Sequence, residues 1–589
     1  MSTQLEARPA PPSQAPAFAR ITRVPGWLSP KNVVLVVVSV IIAFFAITPL
    51  VFLFQRMLTD REGAFTLDNV TSAYSDPIAA EMMWNSTVFT VGSSILAMLI
   101  GTTLAYLHVR TDISFKPALF AASVVPLIMP GLLYTVAWVV LASPRTGLLN
   151  LVTEQLTGTR PLDIFTMWGM VWVEGTNLAP LVFLLMLAAF RSMDPSLEES
   201  ALVSGASGWR VVQRVTFPLV KPAFLAAALL MGIRALESFE TPALLGIPGG
   251  IWVFTSRIWN EMSRFPSDIG AASAYASVLL LIAVLGVVLH NWYAKRGGEK
   301  AVQTIGGKAF RVRPRALTGG ARIAANAFVL SFVMLAIVLP AAALVWSSLL
   351  PVNMVPSGEA LQAVSMDNYE FVLNNSVVRR GAMNSLLLAV VTATAVMLLM
   401  AIAAWIVVRT KTRGRGVLDT LSFIPMTFPG IVLGLALLFV YLRTPLPIYG
   451  TLIILFIAYF TKYMPYGMRY AATSMFQIHN ELEESAQVSG ASWWQSFRRV
   501  VLPLLTPGLM AGWIYIAMIS VRELSASLLI YSPGNEVLAV SMWFLYNEAR
   551  TNELAALGVV LMAILTVVVA LAYKLGSKVG IRPEEKAAA

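Results

Sequence analysis

The chain has no cysteine, so a disulfide framework, a thiolate metal site and a lipid-modified cysteine are all excluded. Histidine is nearly as scarce. His108, His290 and His479 are solitary, each near the end of an apolar run, and read as boundary polar residues rather than ligands. With no clustered His and no carboxylate pair at metal spacing, the sequence offers a membrane enzyme no catalytic constellation. It also lacks a G-x-x-x-x-G-K-[ST] loop, whose backbone amides and Lys would hold a nucleotide. Charge is the last shortage: 12% of the 589 residues are charged against 57% hydrophobic, too little polar surface for a soluble globule.

What is abundant is apolar sequence in long runs. A membrane span needs roughly 20 predominantly apolar residues. Twelve runs qualify, at 32–54, 86–108, 117–141, 167–190, 223–247, 270–292, 324–349, 385–408, 417–441, 450–471, 508–531 and 553–575. The first is long enough to span, which argues against a cleaved signal peptide. The Pro/Ala-rich residues 1–31 before it have no apolar core and read as a tail.

The net charge of +11 is not spread as a nucleic-acid partner would need. Basic residues collect in alternate loops, the signature of cytoplasmic segments. Arg8, Arg20, Arg23 and Lys31 precede the first run, Arg409, Lys411, Arg413 and Arg415 follow the eighth, and Lys574, Lys578, Arg582 and Lys586 follow the twelfth. Both termini are therefore expected in the cytoplasm, and residues 142–166 outside. The stretch 294–323 holds eight basic residues against Glu299 alone and reads as a cytoplasmic linker, set by topology and able to meet anionic lipid headgroups.

The sequence is also duplicated. From Glu199 it reads E-S-A-L-V-S-G-A-S-G-W-R-V-V-Q-R-V-T-F-P, and from Glu484 E-S-A-Q-V-S-G-A-S-W-W-Q-S-F-R-R-V-V-L-P, with Glu199, Ala201, Gly205 and Pro218 recurring 285 positions on as Glu484, Ala486, Gly490 and Pro503. Each copy is expected to form a short helix, a turn and a second short helix. Asp194, with Pro195 at the first helical position, caps the first copy, and Asn480 with Glu483 forms a capping-box-like pattern in the second. Gly205 and Gly490 permit the turn, and Pro218, Pro222, Pro503 and Pro507 are expected to end the second helix before the next apolar run. Upstream, Asp68-Asn69, Asn85-Ser86, Arg110-Thr111, Pro126 and Pro130-Gly131 recur at an offset of 299 as Asp367-Asn368, Asn384-Ser385, Arg409-Thr410, Pro425 and Pro429-Gly430. The drop from 299 to 285 places 14 extra residues in the first half, most plausibly near 142–166. The prolines of these pairs are expected to kink the third and ninth runs in matching ways.

The pattern E-x-A-x3-G-x9-[IV]-x-[LF]-P resembles the EAA loop of binding-protein-dependent ABC importer permeases, with Ser200 and Ser485 where that signature has its first Ala. The resemblance implies an all-α polytopic membrane protein with about 12 transmembrane helices in two homologous six-helix halves, similar to type I importer permeases. The expected domains are a cytoplasmic tail 1–31, a first permease domain 32–293 with its coupling loop at 194–222, the basic linker 294–323, a second permease domain 324–578 with its coupling loop at 479–507, and a cytoplasmic tail 579–589. It further implies an inner-membrane permease without catalytic residues, metal or bound cofactor. ATP would be used by two ABC ATPase subunits docked through Glu199, Ala201, Gly205, Pro218, Glu484, Ala486, Gly490 and Pro503, and a periplasmic substrate-binding protein would deliver the solute. F-E-T-P-A-L-L-G from Phe239 and R-E-L-S-A-S-L-L from Arg522 look like the ferric-iron permeases, ahead of those for polyamines, thiamine or aminoethylphosphonate. The departure is Glu240, where that family typically has Gly. An ion-coupled secondary transporter is the competing class, but H-V-R-T-D-I-S-F-K after the second run does not match the major-facilitator loop.

Charges inside apolar runs are costly, about 2.5 to 3.5 kcal/mol each at a helix centre, and should face protein or water. The candidates are Glu174, Arg234, Glu237, Glu240, Lys462, Arg522 and Glu523. Glu237 and Glu240, three apart, are expected to share a helix face. With Arg522 and Glu523 they are candidates to line a pathway.

Overall fold

A computed structural model of the chain describes residues 30–60, 62–120, 128–304 and 314–578. The architecture is all-α. Among these residues the only β pairings are isolated bridges, Thr59 with Phe65 and Thr111 with Arg315. Among the described residues nine helices are long and apolar enough to cross a membrane, and a tenth span arises if Arg415–Thr427 and Gly430–Leu442, bent by 105°, count as one. Two other expected runs take different forms. The third is described as the 12-residue helix Gly131–Ala142. The tenth is the 25-residue helix Leu452–Phe476, which carries Lys462, Tyr463, Tyr466 and Arg469 and is not apolar enough to be counted with the nine.

The duplication is structural as well as sequential. Pro77–Arg110 and Ser376–Arg409 are both 34-residue helices, and the short helices Asp68–Ser75 and Asp367–Asn374 precede them. Equivalent polar residues do the same work in each copy. Asn69 Nδ2 donates to the carbonyls of Arg56, Met57 and Thr59, and Asn368 Nδ2 to those of Ser348 and Leu350, capping the helix that precedes each loop. Ser86 Oγ accepts from Phe254 N at 3.1 Å, and Ser385 Oγ from Leu538 N at 2.8 Å. Arg110 donates to the carbonyls of Phe190 and Met193, as Arg409 does to those of Met475 and Ile478. The helix Leu148–Thr157 lies in the first half, where the 14 additional residues were expected. Between Arg443 and Leu452 the second half has no helix to match it.

The opening helices exchange partners between halves. Pro30–Met57 packs on Ile269–Thr304 of its own half and on Gly430–Arg443 of the other, with Phe45 and Phe460 edge to face at 5.0 Å. Reciprocally, Leu339–Ser348 packs on Thr551–Lys578 and on Gly131–Ala142. Further ties are Tyr546 OH to the Leu244 carbonyl at 3.2 Å and Phe239 against Trp543 at 5.7 Å.

Three expectations about helix limits are corrected. Pro218 and Pro222 do not end a short helix. Residues Gly208–Glu237 form one 30-residue rod, in which the turn Val212–Thr216 is wound as a π-helix just before the first proline. The wider turn accommodates the missing N–H and the ring that would clash in a regular helix. Phe497–Val501 does the same before Pro503 in the rod Trp493–Val521. Second, the runs 223–247 and 508–531 are not single helices, because these rods stop at Glu237 and Val521. Third, Pro425 and Pro429 break their run rather than kink it, lying in a 3-10 turn and at the cap of Gly430–Arg443; Pro126 lies outside the described residues.

Candidate functional site

Two places gather the charged and repeated residues: the paired loops at one end of the helices and a cavity between the halves. In the first loop Ser196–Val203 is a helix whose first turn holds Glu199, with Ser196 N donating to Asp194 Oδ1 at 2.9 Å. In the second, Asn480 is the first residue of helix Asn480–Val488 and makes no capping bond; Glu483 instead accepts from Trp405 Nε1 at 3.1 Å. Both helices end in one motif. Gly205 N donates to Leu202 O and Ala206 N to Ala201 O, Gly490 N to Gln487 O and Ala491 N to Ala486 O, all at 3.0 Å. The glycines have φ of +84° and +87°, the left-handed cap conformation that a side chain resists. Pro218 and Pro503 sit in the first turn of the helical segments that follow the π-turns.

What the sequence reading missed is the apolar tip of each loop. Val203 and Val488 are 90% and 89% exposed, and Leu197, Trp209, Leu482 and Trp494 are exposed beside them. Each pair is 285 apart. Only the three-dimensional arrangement distinguishes these residues from apolar residues of a core.

From each loop a single rod runs about 40 Å to the cavity, at 1.5 Å per residue. The cavity holds about 280 Å³ between the halves, and the seven candidate charges line it, whereas Asp419 and Arg469 of the apolar runs do not. Helices Met167–Ser192 and Leu452–Phe476 contribute from their middle turns, Glu174 and Lys462 respectively. The other walls are broken backbone: the rod ends at Glu237 and Val521, and the starts of helices at Gly131 and Gly430. Irregular backbone at membrane depth is tolerated where it lines such a cavity. Glu237 and Glu240 do not share a continuous helix face, because the chain breaks at Ser238 and Phe239 and starts a new turn at Glu240. Both nevertheless reach the cavity.

The two walls differ chemically. On the second half Glu523 Oε2 accepts from Lys462 Nζ at 2.7 Å and Tyr463 OH at 2.9 Å, and its Oε1 accepts from Ala526 N at 3.1 Å. On the first, Glu174 Oε2 accepts from Ser238 Oγ at 2.9 Å and Thr241 Oγ1 at 2.8 Å. Glu237 Oε1 is buried without a hydrogen-bond partner, and Glu240 approaches the start of helix Gly131–Ala142. Across the interface Arg234 donates to Tyr466 OH. Glycine is required beside these groups: a Cβ on Gly430 would lie 2.8 Å from Lys462 Nζ and 3.1 Å from Glu523 Oε1. Among the described residues no three His, Cys, Asp or Glu side chains form a group able to hold a metal ion. His108 packs on Phe183, and His290 Nδ1 lies 3.1 Å from the Ala226 carbonyl.

A duplicated bundle of membrane-length helices, with a charged cavity between the halves and matching loops at one end, defines a multi-pass transport protein rather than an enzyme. The chain belongs to the family described as binding-protein-dependent transport system inner membrane component, which matches residues 75–297 and 397–578. It is accordingly an inner-membrane permease component of an ABC importer, with ATP handled on a separate subunit. It is 23% identical to the ferric transport system permease protein FbpB of Actinobacillus pleuropneumoniae over 563 residues, covering 94% of this chain and 79% of that one. It is likewise 23% identical to the Fe(3+)-transport system permease protein FbpB 2 of Haemophilus influenzae over 474 residues, covering 80% and 86%. Over 147 residues, 25% of this chain and 56% of the other, it is 33% identical to PhnV of Salmonella typhimurium, whose name assigns it provisionally to 2-aminoethylphosphonate transport.

Proposed function

We propose that this chain supplies both permease halves of an ATP-driven importer, six spans in residues 32–293 and six in 324–578, joined by the basic linker, with both termini in the cytoplasm. The observation that carries the reading is the repeated exposed tip: Val203 with Trp209, and Val488 with Trp494, each placed at the foot of a rod that ends at the cavity. Two ATPase subunits dock there, one per loop, on the turns shaped by Gly205 and Gly490 and the surfaces around Glu199, Ala201, Pro218, Glu484, Ala486 and Pro503. Closure of the ATPase pair moves the loops, and the rods carry that motion to Glu237, Glu240, Arg522 and Glu523 on the pathway. A periplasmic binding protein delivers solute at the opposite end.

Ferric iron is the proposed solute. Three of the relatives similar over most of the chain are named for ferric transport, and the cavity carries four acids, Glu174, Glu237, Glu240 and Glu523, against three bases, Arg234, Lys462 and Arg522. A pathway with that bias favours a cation. The phosphonate reading draws on the PhnV likeness and predicts transport of an anion instead. Uptake into vesicles containing the chain, its copurifying ATPase and the binding protein decides between them. ATP-dependent accumulation of ferric iron, reduced by Glu240→Gln at limiting substrate with protein level and ATPase docking unchanged, is expected. Unchanged uptake removes Glu240 from the pathway, and accumulation of 2-aminoethylphosphonate in preference to iron overturns the cation reading.

A further inference from the structure

The two loops are alike in backbone but not in what packs behind them. In the second, Trp493 lies 4.9 Å from Trp405 and stacks on Phe497, and with Arg409, Glu483, Glu484 and Gln487 these two indoles line a cleft of about 410 Å³. The residue that occupies the position of Trp493 in the first loop, 285 earlier, is Gly208. Its vacant side-chain space is filled from elsewhere: the guanidinium of Arg315 lies over Gly208, so that a Cβ there would have to displace it.

Arg315 belongs to the linker, and its placement is fixed by backbone. Arg315 N donates to the Arg110 carbonyl at 2.9 Å, Asp112 N to the Arg315 carbonyl at 3.2 Å, and Leu317 N to Asp112 Oδ1 at 2.8 Å. Ser114 N donates to Asn326 Oδ1 at 3.1 Å, in the helix Gly319–Val333 that follows. Arg110, which anchors this strand-like contact, is buried, caps the carbonyls of Phe190 and Met193, and lies 3.5 Å from Glu198 in the first loop's helix. The described end of the linker from residue 314, the second-span end and the loop are thus one connected structure. A solvated charge run that only set topology would need none of these contacts.

We propose that the linker is a working part of the first coupling loop, with Arg315 taking over Gly208 the place that the Trp493 indole takes in the second. Two copies of one ATPase subunit then meet tips that share an exposed Val and Trp but differ beside them, a guanidinium over Gly208 on one side and the Trp493 indole on the other. This rests on the proposed docking role of the loops. Because Arg315 remains exposed to solvent, its contribution is screened by salt, whereas the indole's is not.

The absence of cysteine makes a test direct. Ser204→Cys and Ser489→Cys, introduced singly in the full chain, carry a photoreactive maleimide to the copurified ATPase subunit. Arg315→Ala should lower cross-linking from Ser204→Cys severalfold and leave Ser489→Cys unchanged, and high salt should act on the first loop in the same selective way. Gly208→Trp alone should damage the first loop, and Gly208→Trp with Arg315→Ala should restore it. The packing is read without the partner: Arg315→Ala should speed maleimide labelling of Ser207→Cys and not of Ser492→Cys. Equal losses at both loops, no loss at either while the parents cross-link normally, or an unaltered Ser207→Cys rate each overturn the role of Arg315. An effect of Arg315→Ala that disappears in vesicles without anionic lipid assigns the residue to headgroups instead. Failure of both parent loops to cross-link overturns the docking reading, and this inference with it.

Discussion

The ion pair between Lys462 and Glu523 offers a perturbation whose structural and functional effects separate. The two side chains are 21% and 8% exposed and 2.7 Å apart, Lys462 on helix Leu452–Phe476 and Glu523 in the broken backbone after Val521, and both line the cavity. Lys462→Met leaves a carboxylate in a poorly solvated site, which for a buried pair costs about 3 to 5 kcal/mol. Glu523 keeps its bonds from Tyr463 and Ala526, so the lower figure applies, and ~3 kcal/mol is more than 100-fold in the folded-to-unfolded ratio. Lys462→Met with Glu523→Gln removes both charges and keeps an acceptor for Ala526 N, so it should return to within about 1 kcal/mol of the parent. Detergent-solubilised variants, heated in steps and scored by the monodisperse fraction remaining, should rank parent, double variant, then single variant. Losses in the double variant equal to the sum of the two singles refute the coupling. Uptake by the stable double variant should still fall severalfold; full recovery of both stability and uptake shows the pair to be structural only.

Gly490→Val forces a β-branched residue to φ of +87°, where nothing lies within 4 Å of the added Cβ, so the penalty is backbone strain of about 1 to 2 kcal/mol and not collision. The protein should insert normally but hydrolyse ATP without transport, while Gly490→Asn remains nearly coupled; normal uptake by Gly205→Val with Gly490→Val refutes the loop's role. For topology, Thr157→Cys should react with an impermeant maleimide in intact spheroplasts and Ala316→Cys only after permeabilisation, and the reverse pattern overturns the orientation. Asn368→Ala leaves the carbonyls of Ser348 and Leu350 without that donor, although Asn552 also bonds Leu350, and should lower heat stability by about 1 to 3 kcal/mol with uptake per folded molecule unchanged.

Much of the site was legible because membrane insertion penalises charge. Glu174, Arg234, Glu237, Glu240, Lys462, Arg522 and Glu523 stood out against their apolar neighbours, and all seven line one cavity. The glycine turns were legible for a related reason: a fixed spacing of Glu, Ala and Gly specifies a helix end whose cap needs positive φ. The misreadings have one source. Proline was taken as a stop, but a π-turn upstream removes the conflict at Pro218 and Pro503. Conversely, the apolar runs at 223–247 and 508–531 were taken as continuous, and hydropathy alone carries no record of the breaks at Ser238 and Arg522. Val203 and Val488 were invisible for the opposite reason, since an exposed valine has the composition of a buried one.

The linear order of residues by itself determined the membrane class, the duplication at offsets of 299 and 285, and the positions of the paired loops, because each depends on composition or local spacing. Tertiary structure alone decided which charges meet across the halves, that Pro30–Met57 packs on the opposite half, and that a linker arginine completes the first loop where the second uses Trp493. Those are contacts between residues tens to hundreds of positions apart. Their partners are chosen by packing and by the need to satisfy buried polar groups away from water, neither of which is written in a local pattern.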